Sequence, residues 1–371
     1  MCISTRMVLF AAWLSLASAA FAQQAVQPPA VPGLIVDRAD RMVPPTAAPG
    51  PSATPPAPAA SANIPAACPS AVDCPITCCA DIPDTFYFSA DALVFDLAGP
   101  PHQLPLVLDA TSGRTVLITG DLDYGLEPGP RFTFGWNLAP CHALELTYFG
   151  LHYWSAGAMV LGEANLRLPG DLALATRDFL GADVMDVETY GRIHNAEATF
   201  LHLFDATGFS LLGGLRYLNF EEHFNIASLA PDNTFGEYDL RARSEFFGGQ
   251  IGARWSKAWS RFGLEVTGKT GIYGNTSRQN TFVGDVDNTV VLRHSSTKAS
   301  NPAFIGELDF NAVVPITKHW TVRSGYNLVW LDGIARAADQ LDFTDQAGSG
   351  TALVSGNGLL HGPHLGLEAC W

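Results

Sequence analysis

The sequence predicts an all-β fold: a transmembrane, antiparallel, up-and-down β-barrel of about ten strands, and at most about fourteen, with short periplasmic turns and long outer loops. Three observations predict it. Segments of alternating polar and apolar residues follow one another from Asp84 to Trp371, with no helical period among them. The links between those segments alternate between very short and long. The stretch His319 to Trp330, HWTVRSGYNLVW, carries a tryptophan at each end of its apolar face. At a rise of about 3.3 Å per residue and a tilt of about 40°, those indoles lie about 25 Å apart along a barrel axis, the height of an outer-membrane apolar band.

The chain has 371 residues and a net charge of −15, with 47% apolar and 15% charged residues. The acidic balance lacks the basic footprint that nucleic-acid binding needs. Met1 to Ala22 reads as an export signal. Arg6 gives its positive start, Met7 to Ser18 its apolar core, and Ala20-Phe21-Ala22 its small-x-small cleavage site. Residues 23–83 are rich in Pro and Ala and read as an extended periplasmic tether, too poor in apolar surface to offset its ordering entropy. The tether ends in Cys68, Cys74, Cys78 and Cys79, which in an oxidising envelope are disulfide candidates. Residues 84–371 form the barrel.

The strands follow in order. Thr85–Leu97 sets Phe86, Phe88 and Val94 against Tyr87, Ser89 and Asp91. Arg131–Leu138 sets Phe132, Phe134 and Trp136 against Arg131 and Thr133, and Ala143–Trp154 sets Leu144, Leu146 and Tyr148 against Glu145 and Thr147. Asn195–Phe204 opposes Ala198 and Phe200 to Glu197 and Thr199, although His202 interrupts its apolar face. Phe209–Glu221 and Glu245–Trp255 oppose Leu215 and Ile251 to Arg216, Gln250 and Arg254. Arg261–Tyr273 opposes Leu264 and Val266 to Glu265 and Lys269, and Pro302–Val314 opposes Phe304 and Leu308 to Glu307 and Asp309. Trp320–Trp330 and Leu359–Trp371 complete the series.

Short links at Ala139–His142, Asp205–Gly208, Ala258–Ser260 and Pro315–His319 alternate with long ones at Ala98–Pro130, Ser155–His194, Glu222–Ser244, Gly274–Asn301 and Leu331–Gly358. A soluble sandwich gives no reason for so regular an alternation. A wider pore would need further strands, for which Asn280–His294 and Leu341–Val354 are the candidates. Trp136, Trp255, Trp320, Trp330 and Trp371 are the candidate aromatic girdle. The final strand, ending on an aromatic residue, is the expected contact with the barrel assembly machinery.

The segments RFTFGWNLAPCHALELTYFGL, LLGGLRYLNFEEHF, RSEFFGGQIGARW, VTGKTGIYGN and RSGYNLVWLDGIARAADQLDF resemble, in order and spacing, the recurring motifs of a bacterial family catalogued as putative β-barrel porin 7. The resemblance runs from about Phe86 to the C-terminus and leaves out the tether. It implies an outer-membrane barrel and a porin activity, and carries no functional residues with it.

If the mixed faces turn inward, Asp91, Glu145, Glu197, Glu265, Glu307, Asp309 and Glu368 line the lumen. The bases Arg131, Arg216, Arg254, Lys269 and Arg323, with Gln250, are interleaved among them. Ten strands leave little space inside, so these charges must pair or be hydrated. The expected function is a narrow channel for small hydrophilic solutes or ions, with a modest preference for cations. The alternative is a non-conducting structural or envelope-anchoring barrel with a salt-bridged lumen. Expected partners are outer-membrane lipid and, through the tether, cell-wall or other envelope proteins. The expected location is the bacterial outer membrane, with the tether in the periplasm.

Cys141 and Cys370 both fall at the periplasmic end, where pairing with each other or with the tail cysteines is open. The histidines are scattered, and no GxSxG or HExxH motif accompanies them, so no catalytic role, cofactor or metal is expected. Asp121-x-Asp123-x-Gly125 and Asp285-x-Asp287 lack a full calcium-ligand pattern and read as solvated turns.

Overall fold

In a computed structural model, the described residues run from 86 to 371, except 99–102, 140, 176, 205–207, 286–290, 346–349, 352 and 354. The export signal, the tether and Cys68, Cys74, Cys78 and Cys79 therefore lie outside them. Ten strands form a closed antiparallel barrel: β1 (Phe86–Leu97), β4 (Leu126–Ala139), β5 (His142–Arg167), β6 (Leu180–Phe204), β7 (Phe209–Leu229), β8 (Phe235–Ala258), β9 (Gly263–Asp285), β10 (Val291–Pro315), β11 (Trp320–Ile334) and β12 (Gly356–Cys370). Two short strands, β2 (Pro105–Asp109) and β3 (Thr115–Ile118), form a hairpin on the upper end of β5. Each barrel strand pairs with its sequence neighbour, β4 with β1 across that hairpin, and β1 with β12. The two chain ends of the barrel bond reciprocally: Phe86 N–H donates to the Trp371 carbonyl at 3.1 Å, and Trp371 N–H returns the bond at 3.0 Å.

The short links hold two to four residues each. Gly208, immediately before β7, sits at φ +68°, where a Cβ would lie 2.1 Å from the Ser256 carbonyl oxygen. Three of the long links, Ser155–His194, Glu222–Ser244 and Gly274–Asn301, differ from expectation, because most of their residues are strand. β5 has 26 residues, β6 25, β8 24 and β10 25, whereas β1 has 12 and β11 and β12 have 15 each. The barrel thus has a tall wall, β5 to β10, and a low wall of β4, β1, β12 and β11. Asn280 to Asp285 and Val291 to His294 are the upper ends of β9 and β10, and no additional barrel strand comes from them. No strand is assigned to the described residues of 341–354.

The tall strands keep one pleat but exchange its polarity partway up. On lower β7, Leu211, Leu215 and Tyr217 face outward and are exposed, while Ser210 and Arg216 are buried. On upper β7 it is Phe220, Phe224 and Ile226 that are buried, and Glu221 and His223 that face out. β8 repeats the exchange, with Phe247, Ile251 and Trp255 outside below and Tyr238, Leu240 and Phe246 inside above. The lower half is built as a membrane barrel, apolar outside and polar inside. The upper half is built as a water-soluble barrel around an apolar core.

A bulge in β5 adds one more exchange. The register shifts between the Leu151–Ile193 and Trp154–Gly191 pairs, which turns Trp154 inward against Phe220 at a centroid distance of 5.6 Å. Gly191 makes room for it, since a Cβ there would lie 2.5 Å from the indole. Gly191→Ala is therefore expected to lower stability by about 1–3 kcal/mol through overpacking, read as a reduced urea midpoint. An unchanged midpoint would place Trp154 elsewhere.

Candidate functional site: the filled interior of the barrel

The lower interior is a belt of charge built from inward positions of all ten strands. β1 brings Asp91 opposite Arg131 of β4, and β6 brings Glu197 opposite Arg216 of β7. Arg131 spans the belt: its Nε lies 2.9 Å from Asp91 Oδ2 and its Nη1 3.2 Å from Asp309 Oδ2. His364 Nε2 is 2.9 Å from the other Asp309 oxygen. A second group centres on Arg216, paired with Glu197 at 2.5 Å and also with Glu307. Lys269 Nζ lies 2.9 Å from Glu197 and 3.4 Å from Glu307, and the Gln250 amide donates to Glu197 at 2.8 Å.

The third group opens toward the short-link end of the barrel. Arg254 donates to both Glu145 oxygens at 2.8 Å, the bidentate geometry a guanidinium favours. Arg323 links Glu265, at 3.2 Å, to Glu368. The Tyr87 hydroxyl donates to Glu145, and its ring lies over Gly135, where a Cβ would stand 1.9 Å from the ring. The thirteen lumen candidates thus lie inside the barrel in three ion-paired groups, and the cavity among them is about 50 Å³, room for a few waters. A larger recess of about 230 Å³ opens at the short-link mouth, lined in part by Lys318, His319 and Cys370.

Above the belt, apolar side chains close the interior. Leu93, Leu151, Ile193, Phe220, Phe246 and Ile305 come from β1, β5, β6, β7, β8 and β10, and Val329 of β11 and Leu360 of β12 continue the ring. Two segments between strands fold into it. The β2–β3 hairpin buries Leu106, Val107 and Leu117. The segment after β11 is tied more extensively. Ala335 N–H donates to Ser244 Oγ at 2.9 Å, and Ala337 N–H donates to Glu222 at 2.8 Å. Arg293 donates to the Asp342 carbonyl at 2.6 Å, and Leu172 N–H donates to the Phe343 carbonyl at 3.0 Å.

The centre of this plug is an ion pair that sequence reasoning missed. Arg336 lies 3.4 Å from Glu222, and neither side chain has any exposure. Arg336 also donates to the Ala98 carbonyl at 3.0 Å and packs under the Tyr124 ring. Burial would lower the Arg336 pKa, but Glu222 outweighs it and holds the guanidinium charged; burial pushes the Tyr124 hydroxyl up to about 12. Burial raises the Asp342 carboxyl as well, yet bonds from Thr344 and Gly350 outweigh that and hold it below the usual carboxylate range. The available signal was local: Arg336 stands in IARAADQL, a base flanked by alanines, inside a segment that carries the family resemblance.

The girdle candidates Trp136, Trp255, Trp320, Trp330 and Trp371 all project outward and are exposed. Cys141 occupies the β4–β5 turn at φ +68°, and Cys370 ends β12, with β1 between β4 and β12. Asp121 and Asp123 accept backbone N–H groups of Ile118 and Gly125, each at 3.0 Å, as turn residues do. His142 and His202 meet on the outer face at 3.2 Å, and His223 pairs with Asp239 on the upper outer wall. Among the described residues no group of three or more His, Cys, Asp and Glu side chains could hold a metal.

Residues 179–352 match the family described as Putative beta barrel porin-7, the family that the segments quoted above resemble. The match covers the upper and lower halves of β6 to β11 and the plug segment, but not β1 to β5 or β12. No curated protein matches the chain. Among solved structures, the outer membrane protease OmpT from Escherichia coli is 10% identical, with 78% of this chain and 97% of that chain covered and a TM-score of 0.42. The toluene transporter TbuX of Ralstonia pickettii is 9% identical, with 78% and 90% covered and a TM-score of 0.31. A FadL homologue of Pseudomonas aeruginosa is 12% identical, with 78% and 90% covered and a TM-score of 0.27. None of those proteins' activities passes to this chain through such a likeness.

Proposed function

We propose, from the premise of that family match, that the chain is a bacterial outer-membrane barrel of porin type whose resting state is closed. The observation that carries this reading is the plug: Arg336 and Glu222, fully buried and paired, pin the segment after β11 across the upper interior. The ion-paired belt beneath supports it, because charges that satisfy one another leave a solute nothing to exchange for its hydration shell. A narrow path for small hydrophilic solutes or ions would then be an open state reached by releasing the plug. The tether, residues 23–83, would lie in the periplasm.

Conductance in a planar bilayer tests this. The folded wild-type barrel, identified by heat-modifiable gel mobility, is expected to pass no steady current. Arg336→Ala leaves Glu222 buried and unpaired, a loss of about 3–5 kcal/mol at the plug, and is expected to produce openings. Acidification should act in the same direction. The Asp342 carboxyl is depressed in the folded protein, so its stabilisation is present at neutral pH and lost as pH falls through that depressed value, below about pH 4. Steady current through the folded wild type would overturn the closed state. Silence of both proteins at every pH would leave the second reading, a structural barrel, which the mutual satisfaction of the belt charges favours.

A further inference from the structure

The tall wall carries an outward feature that neither the belt nor the plug uses. One ladder row crosses five adjacent strands: Arg192 of β6 stands opposite Glu221 of β7, which stands opposite Arg243 of β8. Arg243 in turn stands opposite Arg278 of β9, and Arg278 opposite Lys298 of β10. The row holds four cations and one carboxylate. Arg241 lies one position higher on the same face, so five of the chain's 21 Lys and Arg gather here in a protein of net charge −15. The five basic side chains are exposed.

Ion pairing inside the protein accounts for only part of the row. Glu221 accepts Arg192 at 2.7 Å and lies 3.1 Å from Arg243; Glu245 and Asp239 take Arg243 and Arg241. None of these ion pairs reaches Arg278 or Lys298, and like charges directly opposite on neighbouring strands destabilise a sheet. An anion supplied from outside would relieve that repulsion. Arg192, Arg241, Arg243 and Arg278 also line a groove of about 520 Å³ with His152, His223 and Asn280.

The height of the row identifies the anion. The last exposed apolar side chains below it are Tyr217, Phe247, Ile272 and Phe304, four to six residues down their strands. At about 3.3 Å per residue and a tilt of about 40°, the row lies roughly 10–15 Å above the apolar edge, and a guanidinium reaching down meets the level of lipid headgroups. We propose that this row is a docking site for the phosphate-bearing headgroup of an outer-leaflet lipid, held beside β6 to β10. The proposal rests on the membrane placement above.

The test uses the full barrel in detergent and in zwitterionic vesicles, with the bis-phosphorylated acylated disaccharide lipid A as probe. Lipid A is expected to bind and to raise the heat-modifiability midpoint, and its dephosphorylated form is not. Arg243→Gln, Arg278→Gln and Lys298→Gln combined should weaken binding about tenfold to a hundredfold, from roughly fivefold per basic side chain at an anionic surface, and leave insertion into zwitterionic vesicles unchanged. Equal binding of phosphorylated and dephosphorylated probe by a protein that inserts normally would overturn the proposal. Protection by inorganic phosphate alone, at the same concentration as lipid A, would overturn the lipid assignment. Failure to insert into any vesicle would instead count against the membrane placement, a separate outcome.

Discussion

Arg216→Met is expected to lower the stability of the barrel by about 3–5 kcal/mol, because it leaves Glu197 and Glu307 buried without their main counter-charge. Lys269 also touches both carboxylates, but it already shares them and has one ammonium for two acids. Urea titration of the barrel folded into vesicles reads the change. Adding Glu197→Gln and Glu307→Gln to the same protein should recover much of the loss, since the uncompensated charge is then gone. A loss below about 1 kcal/mol for Arg216→Met would mean that the carboxylates are already hydrated, as they would be along a standing water path. The experiment thus separates a dry belt from a wet one without any measurement of transport.

Tyr326→Arg is the second large effect. Tyr326 projects outward midway between Trp320 and Trp330, opposite Phe310 of β10 and Pro363 of β12. A charge there falls near the bilayer midplane and is expected to cost about 2–4 kcal/mol. The matched control is Ser300→Arg on β10, outward and exposed one position below Lys298, which should change stability by no more than about 0.5 kcal/mol. Equal penalties at the two sites would remove the lipid from the account. Asn327→Arg, the comparison the strand pattern suggests, is a poorer control. Asn327 is almost fully buried 3.4 Å from Glu307, and the neighbouring cavity of about 50 Å³ does not admit the larger side chain without displacing the belt.

The lower barrel was legible in the sequence because one rule governs it. Membrane-facing and lumen-facing positions alternate strictly there, so parity alone assigns Phe310 to the outside and Asp309 to the inside. The same rule hid the upper barrel. Where polarity is exchanged, at Leu218 and Asn219 on β7 or at Glu245 and Phe246 on β8, an observer following apolar positions sees the strand stop and a polar link begin. The strand in fact continues, with Phe220 and Leu240 on the face that Arg216 and Gln250 had occupied. The plug was illegible for a different reason. Its bonds join Glu222 and Ser244 to residues 91 to 115 positions later, and no local pattern encodes such a separation. Trp154 was hidden by the β5 bulge, since one unpaired residue inverts every parity assignment beyond it.

The exchange of polarity also fixes how deep the barrel sits. A shift of two residues along the tilted strands moves it about 5 Å along the membrane normal. Upward, such a shift lifts Tyr217 and Phe247 out of hydrocarbon; downward, it brings Glu221, Arg243 and Arg278 to within about 5–10 Å of the apolar edge, and a second or third such shift draws them into it. Each charge costs up to about 1 kcal/mol just inside the interface and about 2–4 kcal/mol at the midplane, so the resistance stiffens with depth. A barrel of this construction cannot act as a piston. Variation in bilayer thickness must be taken up by the lipid around it, and any signal that crosses the membrane through this protein has to pass through its interior.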